Sequence, residues 1–128
     1  MKRIAIGFAV VAGFAIPVQA AESLTCSFSQ ECSGGSACTE TNPITLRFQL
    51  EGEDWIMAGT DGTTITFTKL AKKSGGMRSF LAKNADPDAA AVSILSVFED
   101  GQAFMSTHGI FLTPGFVTHI GACVPEGN

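Results

Sequence analysis

His108 and His119 are the side chains best suited to move a proton near neutral pH. If His108 ends one strand and His119 lies on the next, the rings face each other across a hairpin. That arrangement offers a metal pair or an acid–base site. No third ligand of suitable type stands near them, and two polar side chains on a solvent face give the same pattern. Serine chemistry has weaker support. Ser74-Gly75-Gly76 lacks the G-x-S-x-G elbow, and Ser106-Thr107-His108 has no strand–turn–helix setting. The carboxylates gather at Glu51, Glu53 and Asp54 and again at Asp86 and Asp88, in turns, without the EF-hand calcium spacing. No catalytic set, metal site or cofactor is indicated. A binding module is therefore expected ahead of an enzyme.

Charge supplies the sharpest binding hint. Lys69, Lys72, Lys73, Arg78 and Lys83 form one basic stretch, and residues 69–83 hold no acid. Lys72, Lys73 and Arg78 are its expected contacts for an anionic or protein partner. Lysines that protect a sheet edge would leave the same trace. The chain as a whole carries 8 Lys and Arg against 12 Asp and Glu, a formal charge of −4. That balance does not suit a nucleic-acid backbone.

The four cysteines are Cys26, Cys32, Cys38 and Cys123. There is no C-x-x-C and there are no paired histidines nearby, so zinc and redox roles are disfavoured. An even count in a small exported chain suits two disulfides. The turn-prone link Ser33–Ala37 makes Cys32–Cys38 easy to close, which leaves Cys26–Cys123. Cys26–Cys38 with Cys32–Cys123 is the alternative pairing.

The elements that position these residues have a period of two. Leu24, Cys26 and Phe28 alternate with polar neighbours, as do Ile44, Leu46, Phe48 and Leu50, and then Ile65 and Phe67. Each run reads as a half-buried strand. Val92–Phe98 is apolar at nearly every position, which predicts burial on both faces or a central place in the sheet. Glu51–Asp54, Asp61-Gly62, Glu99–Gly101 and Thr113–Gly115 mark turns. Asp86-Pro87-Asp88 before three alanines is a cap signal for one short turn of helix. Strands recur at intervals of roughly 10 to 12 residues, which predicts an all-β antiparallel meander of about eight strands. A covalent tie between first and last strands favours a closed barrel over a β-sandwich. Trp55 and the phenylalanines are expected to fill it, which leaves a small apolar-ligand carrier as an alternative function.

Residues 1–20 read as a secretory signal peptide. Lys2 and Arg3 lead an apolar run, Ile4–Ile16, and Val18-Gln19-Ala20 ends it with small residues. Without this segment the formal charge moves to −6, and 21–128 is expected as one domain. The run is too short to span a bilayer. The product is expected in the periplasm or outside the cell, with its oligomeric state open.

This layout of signal peptide, small β-meander and cysteines near both ends is similar to that of periplasmic lysozyme inhibitors of the small-barrel type. Those proteins carry an SGxxY loop motif. Here the counterpart is Ser74-Gly75-Gly76-Met77-Arg78, with arginine in place of tyrosine, and the chain has no tyrosine at all. The inhibitory activity is not carried over.

Overall fold

A computed structural model describes residues 22–58, 62–70, 76–113 and 115–126. The expected signal peptide, Asp61, Lys72, Lys73, Ser74 and Gly75 lie outside the described residues. Eight strands run in chain order: β1 (Ser23–Ser33), β2 (Thr39–Glu51), β3 (Asp54–Ala58), β4 (Thr64–Lys69), β5 (Arg78–Asn84), β6 (Ala91–Val97), β7 (Gln102–Gly109) and β8 (Phe116–Pro125). Each pairs antiparallel with the next, and β8 returns to β1, so the sheet closes into a barrel. Closure leaves no unpaired sheet edge. No helix occurs among the described residues. The cap signal at Asp86 instead makes a tight turn, in which the Ala89 amide donates to the Asp86 carbonyl. Val92 soon resumes the extended chain, because a β-branched residue fits the pleat better than a helix.

The seam between β1 and β8 is tied by a disulfide and by Glu126, and a second disulfide secures the adjoining turn. Cys26 and Cys123 are register partners joined by a disulfide across 97 residues. Cys32–Cys38 clamps the β1–β2 turn. The Glu126 amide donates to the Ser23 carbonyl, and the Glu126 carboxylate accepts hydrogen bonds from Ser23 and Thr25 and pairs with Arg47 at 3.3 Å. Two disulfides fit an oxidising environment. Gly121 is required at the seam for another reason: a Cβ there would lie 1.9 Å from the Ser27 carbonyl oxygen.

The alternating apolar residues point inward and meet in rows. Phe28, Phe48, Trp55, Phe67, Phe80, Leu95, Val97 and Ala103 are all buried. Phe48 meets Phe67, and Trp55 meets Phe80, both edge-to-face at 5.4 and 6.0 Å. Aromatic pairs of this geometry add to the burial of their area. Val92–Phe98 takes the second of its two expected places, central in the sheet, and is not buried on both faces. β6 sits centrally between β5 and β7, but only Leu95 and Val97 are buried, while Val92, Ile94 and Phe98 stay exposed on the outer face.

Candidate functional site

The barrel has two unlike ends. One gathers the start of β1, the close of β8 and the β2–β3, β4–β5 and β6–β7 connections. The other gathers the β1–β2, β3–β4, β5–β6 and β7–β8 turns. Lys69, which closes β4, and Arg78, which opens β5, lie at the first end, whereas Lys83, near the close of β5, lies toward the second. The isolation of the basic stretch from acids is a property of the sequence and not of the fold. A guanidinium nitrogen of Arg78 lies 4.0 Å from the Glu22 carboxylate. The Glu99 side chain lies over Gly76, where a Cβ would come within 2.3 Å of its carboxyl carbon. Arg78 and Glu99 then line one shallow depression with Leu24, Val97 and Pro125.

The histidines do not form a shared site. His108 pairs with Phe116 and His119 with Met105, one residue out of step in facing. His108 therefore points outward and stacks on Phe116 at 5.5 Å, whereas His119 points inward, 6.3 Å from the Phe28 ring. The hairpin does bring the two strands together, but alternation turns the rings to opposite faces.

His119 leads to the second end, where the lumen opens. Phe28 is 1% exposed, yet Ile44, its cross-strand neighbour on the same inner face, is 40% exposed. Ile65 shares its face with Met57 and the buried Phe67 and is 41% exposed. Ile44, Leu46, Met57 and Ile65 thus form an apolar wall contributed by β2, β3 and β4. The facing wall, from β6, β7, β8 and β1, is polar. Ser93 and Thr107 share a hydrogen bond of 2.9 Å on the row that also holds Val117 and Ser33. Glu31 is the register partner of His119, and the Ser33 hydroxyl donates to its carboxylate at 3.1 Å.

A register shift builds this wall. Strict alternation from Phe28 would turn Glu31 outward. The irregularity between Phe28 and Gln30 inserts one residue and reverses the facing of the rest of β1, so Glu31 turns in toward His119. Sequence periodicity therefore missed Glu31, and nothing in the local composition marks the shift.

Two polar atoms on this end have unspent bonding capacity. His119 Nδ1 and Thr41 Oγ1 are buried with no hydrogen-bond partner among the described residues. His119 has only 13% of its side chain exposed, and its Nδ1 stands 4.0 Å from Glu31, beyond direct hydrogen-bond reach. Buried polar atoms without partners are rare, because each forfeits its hydration. An ionised carboxylate only accepts hydrogen bonds. The end therefore presents the Glu31 carboxylate beside an apolar wall. That chemistry suits a group rich in N–H or O–H donors. No cluster of three or more metal-ligating side chains occurs among the described residues. No protein-family model matches the chain, and no curated protein or solved structure matches it significantly.

Proposed function

We propose that the protein is an exported, non-catalytic binding module that takes a small amphipathic amine into the open end of its barrel. One observation carries the reading. Inward-facing side chains pass from fully buried to about two-fifths exposed along the lumen, and the open part sets an apolar wall against the partly exposed Glu31 carboxylate. The ligand's ammonium would sit by Glu31 and His119, and its chain against Ile44, Met57 and Ile65. Export is supported by the two disulfides and by the pattern of residues 1–20.

Calorimetry and amide chemical-shift mapping with dodecylamine, dodecanol and dodecanoate test it. The amine is expected to bind best and to shift resonances at Ile44, Ile65, Glu31 and His119. Glu31→Gln is expected to weaken the amine by about tenfold and to leave the alcohol nearly unchanged. Equal binding of the carboxylate, or shifts confined to the other end, would overturn the reading.

A second reading keeps the stretch 69–83 as the contact for an anionic or protein partner. It is favoured by Arg78, whose side chain is 40% exposed beside the packed end. Charge reversal at Lys72, Lys73 and Arg78 should then abolish capture of that partner, and unchanged capture would exclude it.

A further inference from the structure

The outer surface of the barrel is divided as sharply as its interior. On β1–β4 the outward positions are largely Thr25, Ser27, Thr45, Arg47, Gln49 and Thr66. On β5–β8 they include Leu81, Val92, Ile94, Phe104, Phe116 and Ile120. Val92 is 42% exposed and Ile94 39%. An apolar face of this extent on one side of a soluble domain marks a contact surface. A barrel spanning a membrane needs an apolar band all the way round, and the β1–β4 side does not supply one.

We infer that this face seats a second copy of the same chain, sheet against sheet, with the strands of the two copies running in opposite directions. Two further features fit that occupant. The hydroxyls on the face are already paired with each other: Ser79 with Ser96 at 3.2 Å, and Ser106 with Thr118 at 2.7 Å. Covering those four hydroxyls with an apolar surface therefore strands none of them. Charge also selects the partner. The four strands contain no acidic residue, although the chain has 12. An acidic protein meets its own copy with least repulsion through the one side that lacks acids. Lys83, the only lysine on these strands, points outward at the end of the face near the open lumen. Asp100 bounds the other end, in the β6–β7 turn, and accepts from the Gln102 amide. Asp86 and Asp88 lie beyond the strand ends, in a turn where Asp86 accepts from the Asp88 amide. A two-fold contact between antiparallel copies brings each Lys83 to the partner's Asp100. It also leaves both open lumens free, facing opposite ways.

Sedimentation velocity on the oxidised protein reads the outcome. A concentration-dependent doubling of mass is expected. Ile94→Lys should lower the association constant by more than about tenfold, with unchanged circular dichroism. Gln49→Lys, on the polar side, should leave it unchanged. Lys83→Glu and Asp100→Lys should each weaken association, and the double variant should recover it. A monomer at every concentration overturns the inference, as does a dimer indifferent to Ile94→Lys. Failure of the double variant to recover overturns the antiparallel seating. A monomer that floats with anionic or neutral lipid vesicles would instead assign the face to a lipid surface.

Discussion

The two ends of the lumen are built from the same alternating strands but spend their inward positions differently. At the packed end, rings from β1 to β5 fill the space, and Phe28, Phe48, Phe67 and Phe80 lose nearly all contact with water. At the open end, isoleucine, methionine, serine and threonine are too small or too polar to close the lumen. The contrast teaches that tight packing and exposure of the inward side chains are separated along one axis. The packed end holds the barrel together, and the open end can tolerate unpaired polar atoms because it is not needed for that.

Variants can break or sharpen this contrast. Replacing both Cys26 and Cys123 by alanine should have the largest effect, about 4 to 5 kcal/mol in the chain-entropy picture, since the bridge closes nearly the whole chain. Chemical denaturation would show it as a large fall in midpoint. Phe80→Ala at the packed end should cost about 3 to 5 kcal/mol by the same measurement, from lost burial and the cavity left beside Trp55. Ile65→Ala at the open end should cost about 1 kcal/mol or less, because two-fifths of the side chain is already in water. If Ile65→Ala proved as costly as Phe80→Ala, the division would fail.

The smallest effect belongs to Glu126. Hydrogen bonds from Thr25 and Ser23, aided by Arg47, hold its carboxyl below the ordinary carboxylate pKa. A depressed folded pKa adds stability above the unfolded pKa, and that stability is lost as pH falls through the folded value. Acid titration of stability should therefore flatten slightly in Glu126→Gln, in the range below the usual carboxylate pKa. Solvent exposure keeps this contribution minor.

Much of the barrel was legible because burial on one face writes a period of two into the chain. Leu24–Phe28 and Ile44–Leu50 show it clearly, and the cysteine spacing led to the observed pairing. The apolar run at Val92–Phe98 left burial on both faces and a central place equally open, since sequence hydrophobicity does not distinguish a core from an uncovered surface. The open end was the least legible. Its wall depends on a single inserted residue that reverses the facing of Glu31, and on a histidine whose neighbours come from other strands. The basic stretch is acid-free along the chain, but folding brings Glu22 beside Arg78 and Glu99 over Gly76.

The hydrogen bond between the Glu126 amide and the Ser23 carbonyl places the start and finish of the barrel side by side at the packed end. The barrel is, in effect, a ring cut at one point. A short peptide could join Ser23 to Glu126, and the ring could be reopened at the β3–β4 turn, giving a circular permutant with the same walls. For the same reason, a tag joined directly after Glu126 starts at the packed end, away from the open lumen.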